Sequence, residues 1–256
     1  VLGPDVPVDS ETFDLFIRDV VKEVTQKAGQ KCTATRRLLV PAERLDDVQA
    51  RLGEELGAIQ MGVPTEDGVR MGPVSGPRAL ADLKEKLARL CDVGSIVVGD
   101  PDAFEAKGRD GDKGAFIPPL VLEVADARAA GPVHEVECFG PVTTLMPYDG
   151  SAADAAGIVA LGEGSLVTTF YSDDREFSAS FIEEAAPYQG RLVWGSERVA
   201  GTAPFPGMVL PGFIHGGPGR AGGGEERGGL RGLDLYSQRV AVQGFGPLLE
   251  RFFGVR

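Results

Sequence analysis

Apolar residues recur at helical spacing in five segments of the chain, a pattern typical of helices that bury one face. The predicted helices cover residues 11–28, 45–59, 80–90, 152–161 and 174–186. In the first of them the apolar side chains are Phe13, Phe16, Ile17, Val20, Val21 and Val24. Ser10 precedes this helix as a predicted N-cap, and Gly29 follows it as a predicted C-terminal stop.

Short apolar segments alternate with these helices and are predicted to be β-strands. They cover residues 35–40, 95–99, 119–124, 141–148, 166–171 and 191–195. Helices that alternate with short strands are typical of layered α/β domains in which the sheet is largely parallel. The pattern therefore predicts an α/β domain.

The composition changes towards the C-terminal end of the chain. Residues 212–232 include ten glycines, but no Gly-Lys-Ser/Thr ends the segment, which excludes a P-loop. Residues 235–244 alternate between polar and apolar side chains and are predicted to form an edge strand that pairs with a partner molecule. We predict a catalytic domain over 1–225, a tail over 226–256, and a homo-oligomer formed through residues 233–243.

Charge and composition limit the classes of partner. The chain has a formal net charge of −12 and a pI of about 4.7, which argues against nucleic-acid and anionic-membrane surfaces. No apolar run approaches the roughly 18 residues that a membrane span requires. No basic and apolar leader opens the chain, so we expect no secretory signal. With three widely spaced cysteines and two histidines, we expect neither a disulfide framework nor a zinc site, and a cytoplasmic location.

Cys32 lies between the first predicted helix and the first predicted strand. A cysteine attacks as its thiolate, which requires a nearby base or positive charge. The C-terminal end of a helix disfavours a thiolate, and at most one of Arg36 and Arg37 faces Cys32, because side chains alternate along a strand. The local sequence alone favours a buried free cysteine, which is also the role we predict for Cys91 and Cys138.

Two motifs in order give a resemblance to a known family. The segment GQKCTATRR around Cys32 resembles the active-site segment of the aldehyde dehydrogenase superfamily, where Gly-Gln-x-Cys presents the catalytic thiol. The segment ECFGPV, residues 137–142, resembles the Glu-x-Phe-Gly-Pro-Val motif of that superfamily. Between them, MGVPTEDGVRMGPVSGP resembles a family loop that ends in Met-Gly-Pro, and GAFIPPLVLEV resembles the strand leading to the glutamate motif. The resemblance covers nearly the whole chain.

The resemblance implies a fold and a set of roles. It implies a three-layer α/β/α catalytic domain with a C-terminal oligomerisation strand, which uses NAD or NADP. Cys32 would be the catalytic nucleophile, Glu137 would bind the hydroxyls of the nicotinamide ribose, and Phe139 would pack near the nicotinamide ring. Without the resemblance, Glu137 is interpreted as a solvated loop carboxylate and Phe139 as a core aromatic.

The glycine-rich tail narrows the resemblance. HGGPGRAGGGEERGGLRG, followed by QRVAVQG, is similar to the dehydrogenase half of ring-opening bifunctional proteins of phenylacetate degradation and to related CoA-semialdehyde dehydrogenases. An aldehyde linked to CoA is the implied substrate. His215 would line the substrate entrance or be an ordinary loop histidine. Arg220 would meet an anionic group or counter the nearby glutamates. The Asn that the family commonly has in the segment matching LGEGSL is absent here.

Some parts that such an enzyme needs are not found in these residues. No glycine-rich βαβ fingerprint for a dinucleotide is present, and the chain starts at Val1, so we expect the nucleotide-binding domain to lie outside it. Glu11 and Glu23 are not expected to be the catalytic base, because Glu11 is far from Cys32 and Glu23 is expected on the polar helix face. The chain alone is predicted to be inactive as a dehydrogenase. Two alternatives are cofactor-free esterase or acyl-transfer activity of Cys32, and a non-catalytic oligomerisation module.

Overall fold

The computed structural model describes residues 1–203, 205–209, 215–222, 225–226, 233, 236–237 and 240–254. Within these residues the α-helices are α1 (Glu11–Thr25), α2 (Leu45–Gly57), α3 (Pro77–Cys91), α4 (Gly131–Glu135), α5 (Ala152–Ala160), α6 (Arg175–Ala185) and α7 (Gly246–Phe253). The strands are β1 (Arg37–Pro41), β2 (Ser95–Val98), β3 (Leu120–Glu123), β4 (Val142–Tyr148), β5 (Ser165–Tyr171), β6 (Gln189–Gly195), β7 (His215–Gly216) and β8 (Glu225–Glu226).

A largely parallel sheet forms the centre of the molecule. Four strands lie in the order β1-β4-β3-β2, in which β4 is parallel to both β1 and β3, and β2 is antiparallel to β3. Strands β5 and β6 form a separate parallel pair. Residues 1–3 join the two parts, because Leu2 N donates to Leu39 O on β1 and Tyr171 N on β5 donates to Val1 O, each at 2.9 Å. We call residues 1–3 the bridging segment.

Helices cover both faces of the sheet. On β1, Leu38 and Val40 pack into a core with apolar residues of α1 and α2, whereas Leu39 packs into a second core with residues of α3, α5 and α6. Successive side chains of a strand point to opposite faces, so the two cores lie on opposite sides of the sheet. The predicted α/β class and the three-layer α/β/α arrangement are confirmed.

The first helix begins as predicted and ends earlier. Ser10 Oγ accepts a hydrogen bond from Phe13 N at 3.2 Å and so caps α1. The helix was predicted to run to residue 28 but stops at Thr25. Gln26 has extended ψ, and the next residues take left-handed φ angles, so the chain turns out of the helix before Gly29. The other predicted helices and strands up to residue 195 are confirmed with small shifts of their ends.

Two described helices were not predicted, and the predicted tail strand is not observed in the described positions. The helices are α4 and α7. The described residues among 233–243 are not in a strand, while positions 234, 235, 238 and 239 lie outside the described residues. The predicted strand would pair with another molecule, so it would have no backbone partner within its own chain. The predicted domain boundary at 225 adjoins positions 223, 224 and 227–232, which also lie outside the described residues. Among the described helices, none has the length and apolar character needed to cross a membrane.

Candidate active site

The turn before Cys32 has an unusual backbone. Lys27, Ala28 and Gly29 have φ angles of 56°, 51° and 68°. Residues other than glycine rarely adopt this left-handed region, and runs of it are costly. Strained backbone of this kind is held only where surrounding contacts fix it, and such contacts are found at Gly29.

Gly29 brings the two sequence motifs together. A Cβ atom at Gly29 would lie 2.1 Å from Gly140 O and 2.7 Å from Pro141 N, so the two backbones are in direct contact. The loop from the middle of the chain joins them, because Gln30 Oε1 accepts a hydrogen bond from Ser75 N at 2.8 Å. The segments that carry the resemblance are therefore neighbours in space.

Cys32 opens onto a cavity of about 350 Å³. Its side chain is exposed, so the prediction of a buried free cysteine from local sequence is wrong. The physical reason is the left-handed turn, which carries the chain away from the core before the thiol. The cavity is also lined by Arg36, Arg37, Glu137, Phe139, Thr168 and Arg220.

Glu137 and Phe139 lie at the opening of this cavity. The Glu137 carboxylate is 3.7 Å from Arg36 Nε, and both side chains are 43% exposed. Phe139 is 43% exposed, so its ring is not part of the core. Its φ of 46° lies in the left-handed region, a strained conformation for a residue other than glycine. The interpretation of Phe139 as a core residue is wrong, and the structure brings Cys32, Glu137 and Phe139 to one cavity.

Arg36 and Arg37 both line the cavity but have different partners. Arg37 donates to Ile158 O and Val159 O, at 3.2 and 3.1 Å, and lies 2.9 Å from His134 Nδ1. Because His134 Nε2 lies 2.7 Å from Ala127 O, the proton is on Nε2, and Nδ1 accepts from Arg37. Burial lowers the pKa of Arg37 to about 10, with a further contribution from the charges of Arg36 and Arg220. Arg37 therefore supports the cavity wall.

Burial also lowers the pKa of His134, and the positive charge of Arg37 adds to this effect. Its neutral form fits the two hydrogen bonds described above. Arg220 donates to His134 O at 3.1 Å and to Glu135 O at 2.7 Å. The Arg220 guanidinium thus binds the C-terminal end of α4, directly before Glu137, a role that the sequence did not indicate.

Glu23 is buried, and its predicted place on the polar helix face is wrong. Its side chain is 1% exposed and lies 2.7 Å from Lys31 Nζ. Its other oxygen accepts from Gly207 N at 3.3 Å. The sequence held a signal for this, since position 23 follows Phe16 by seven residues and Val20 by three, which places it on the apolar face.

His215 lies directly beside the thiol, with Nε2 at 3.6 Å from Cys32 Sγ. Arg191 on β6 lies in the same region. Burial lowers the pKa of its guanidinium, and the nearby Cys32 and Glu23 side chains act in the opposite direction. Sequence reasoning missed Arg191 because a single arginine in a predicted strand carries no motif.

The other cysteines differ from each other. Cys138 is buried, as predicted, and burial raises the pKa of its thiol to about 12. Cys91 was predicted to be core but is exposed. It is the last residue of α3 and follows the buried Leu90, so it has turned past the apolar face that the leucines occupy. Partial burial and the neighbouring Asp92 raise the pKa of the Cys91 thiol.

The family comparison agrees with this geometry. The model described as "Aldehyde dehydrogenase family" matches residues 8–238. The chain belongs to the aldehyde dehydrogenase family. The match includes the Cys32 turn, the Glu137–Phe139 loop and the whole glycine-rich segment 212–232.

Relatives of this aldehyde dehydrogenase chain include a semialdehyde dehydrogenase and protein MaoC. It is 38% identical over 221 residues to a 3,4-dehydroadipyl-CoA semialdehyde dehydrogenase from Aromatoleum evansii, which covers 85% of this chain and 42% of the relative. It is 38% identical over 181 residues to protein MaoC of Klebsiella aerogenes, covering 70% of this chain and 52% of the relative. The chain therefore spans about half the length of these relatives.

Solved structures show the same fold. Aldehyde dehydrogenase C from Pseudomonas syringae, in complex with NAD+ and octanal, matches with a TM-score of 0.71 and 24% identity, over 92% of this chain and 44% of that one. Lactaldehyde dehydrogenase from Escherichia coli matches with a TM-score of 0.71 and 23% identity, over 93% of this chain and 44% of that one. At these identities the similarity is evidence for a shared fold.

Proposed function

We propose that this chain supplies the nucleophile for an NAD(P)-dependent oxidation of an aldehyde to an acid. The observation that carries the proposal is the meeting of Cys32, Glu137 and Phe139 at one cavity. The 38% identity to a 3,4-dehydroadipyl-CoA semialdehyde dehydrogenase supports a CoA-linked semialdehyde as the substrate. The catalytic part of such an enzyme would be residues 1–225, and the tail 226–256 would serve assembly.

Cys32 performs the covalent part of the reaction in this proposal. Its thiolate attacks the aldehyde carbonyl carbon and forms a thiohemiacetal. Loss of a hydride from its carbon and of the hydroxyl proton to solvent converts the thiohemiacetal to a thioester on Cys32, and attack of water on the thioester releases the acid and the Cys32 thiol. The nicotinamide of NAD or NADP, when bound, accepts the hydride.

Two residues at the cavity opening fit a nicotinamide nucleotide. The Glu137 carboxylate is half-exposed, and its oxygens can accept hydrogen bonds from the ribose hydroxyls. Phe139 presents an exposed ring on a strained backbone, and a planar ligand ring would cover it. The fit supports Glu137 and Phe139 as cofactor-binding residues, and the rest of the cofactor site is proposed to lie outside these residues.

The test is aldehyde-dependent reduction of NAD+ and NADP+, measured on this chain alone and on the full-length protein in which it occurs. We expect activity from the full-length protein with a CoA-linked semialdehyde and none from the 256-residue chain. Cys32→Ser should lower the full-length rate by at least about 10³-fold, because the covalent step needs the thiolate.

Cys91→Ser is the matched control for Cys32→Ser, because Cys91 is also exposed but does not line the cavity. It should leave the rate unchanged. A Cys32→Ser protein that oxidises the aldehyde at the unsubstituted rate would overturn the proposed role of Cys32. NAD(P) reduction by the chain alone would show that a cofactor site lies within it.

A second function, hydrolysis of activated esters through Cys32, is favoured by the contact between Cys32 Sγ and His215 Nε2 at 3.6 Å. This reaction requires no nicotinamide. It is tested on the chain alone with p-nitrophenyl acetate, and release of nitrophenol should be lost in Cys32→Ala. If the chain neither oxidises aldehydes in its full-length protein nor hydrolyses esters, the non-catalytic oligomerisation module remains.

A further inference from the structure

The position of His215 is fixed by backbone contacts on two strands. A Cβ atom at Gly190 on β6 would lie 1.6 Å from Gly216 O, so the backbone after His215 lies directly against β6. A Cβ at Gly217 would lie 2.5 Å from Ser165 O on β5. His215 itself is 8% exposed and pairs in register with Glu226. These contacts fix the backbone that carries His215, which is a buried strand residue rather than an ordinary loop histidine.

Glu23, the acidic residue of α1 near the thiol, accepts hydrogen bonds from other groups. Glu23 binds Lys31 Nζ with one oxygen and Gly207 N with the other. Within the part of the chain that the structure describes, the side chain that contacts Cys32 Sγ and is able to take up a proton is His215.

Charged side chains lie close to the Cys32–His215 pair. Lys31 and Arg191 lie on the same side as Glu23, so two cations oppose one carboxylate. Arg191 Nη2 donates to Pro206 O at 2.7 Å, while its Nε and Nη1 have no partner among the described residues. The charged and titratable side chains that line the cavity besides Cys32 are Arg36, Arg37, His134, Glu137, Tyr171 and Arg220. Arg36 is paired with Glu137, and Arg220 binds backbone carbonyls.

We propose that His215 is the base that accepts the proton of the Cys32 thiol. The inference rests on the proposed role of Cys32 as nucleophile and adds the group that activates it. The S–H bond breaks, the electron pair stays on sulfur, and the proton binds Nε2. The sulfur then forms a bond to the carbonyl carbon, the carbonyl π electrons move to oxygen, and that oxygen takes the proton from Nε2. No oxidant is needed for these steps, and His215 is neutral again at the end.

The test uses alkylation of the chain by iodoacetamide, followed by mass spectrometry of the peptides that contain Cys32 and Cys91. We expect His215→Asn to lower the rate at Cys32 by about tenfold or more at neutral pH, the scale of general-base effects. The rate at Cys91 in the same molecules should not change. The Cys32 rates of the two proteins should converge at high pH, where hydroxide deprotonates the thiol without help.

Equal Cys32 rates in the His215→Asn and unsubstituted chains across the pH range would overturn the proposal. If His215→Asn does not fold, the unsubstituted chain still decides. The Cys32 rate should then rise in two steps with pH, one for the imidazole and one for the thiol, whereas Cys91 should show one step. A single step at both cysteines would contradict the role of His215. Alkylation needs neither aldehyde nor nicotinamide, so this outcome is independent of the test of aldehyde oxidation.

Discussion

The ion pair between Arg36 and Glu137 affects the stability of the protein and the position of the Glu137 carboxylate to different extents. The two groups are 3.7 Å apart and half-exposed, and exposed pairs of this kind contribute about 0–1 kcal/mol to the free energy of unfolding. The pair is therefore more important for where it places the Glu137 carboxylate than for stability. A carboxylate held at the opening of the cavity is ready to accept hydrogen bonds from a ligand.

Glu137→Gln should raise the KM for NAD+ or NADP+ in the full-length protein by about tenfold, because hydrogen bonds to a charged acceptor are worth about 1.5–3 kcal/mol. The midpoint of urea unfolding should be nearly unchanged. Steady-state kinetics with varied cofactor measures the effect. Glu135→Gln is the control, since Glu135 is exposed and does not line the Cys32 cavity. Unchanged cofactor KM in Glu137→Gln would refute the cofactor role of Glu137.

At the residue scale, motifs indicated some site residues and not others. Cys32, Glu137 and Phe139 are carried by short motifs, and the structure places them at one cavity. The contact between His215 and Cys32 could not be read from sequence, because 183 positions separate them and β6 and β7 bring them together. The charge of Glu23 predicts a polar helix face, whereas its helical position places it on the apolar face.

The turn between α1 and β1 is the element that forms the site. Its left-handed residues place the Gly29 backbone against that of Gly140 and Pro141. The same contact sets the distance between the thiol and the Glu137–Phe139 loop. A glycine is required at position 29 for two reasons, its φ angle and the lack of space for a side chain.

Gly29→Ala should lower the free energy of unfolding by at least about 2 kcal/mol, because the new methyl group meets a carbonyl oxygen and the φ is costly for alanine. It should also slow alkylation of Cys32. Urea unfolding and the iodoacetamide assay measure the two effects.

The control for Gly29→Ala is Gly57→Ala at the end of α2, where an added Cβ meets nothing within 4 Å. That substitution should raise the free energy of unfolding by about 0.5–1 kcal/mol, since alanine is the better helix former. Equal effects of the two substitutions would contradict the close packing at Gly29.

Helix and strand types followed from the apolar pattern, whereas the ends of elements depended on tertiary contacts. The pattern of α1 continues past Thr25, but the packing of Gly29 on Gly140 requires an earlier turn. In the LGEGSL segment, Glu163 has a φ of 55°, a conformation in which Asn is much more common. The left-handed conformation is therefore present at Glu163 although the Asn is absent. The short helix α4, five residues long, is too brief to give a periodic signal.

On the scale of the whole molecule, the tail carries an apolar surface. Tyr236, Val240, Phe245 and Phe252 are 89%, 75%, 75% and 81% exposed. Exposed apolar patches of this kind mark sites of protein–protein contact. Tyr236 and Val240 lie within 233–243 and support the proposal that the chain forms a homo-oligomer through these residues.

Val242→Asp should reduce the mass of the particle in solution, because a charge in an apolar interface is strongly unfavourable. Light scattering after size-exclusion chromatography measures the mass. Val8→Asp is the control, since Val8 is also an exposed valine but lies outside the tail. An unsubstituted chain that is already a monomer, or an oligomer that Val242→Asp does not disrupt, would contradict assembly through the tail.

The bridging segment has a consequence for the order of folding. Val1 N donates to Thr169 O at 2.7 Å across 168 positions of sequence, and closing so long a loop is slow. Leu38 and Leu39 on β1 line the Cys32 cavity from one side, and Thr168 and Thr169 on β5 line it from the other, with Val1 between them. A partly folded chain in which β1–β4 have formed already carries Cys32 on its turn, but not the opposite wall. Reactivity of the thiol should therefore be among the last properties that the folding chain acquires.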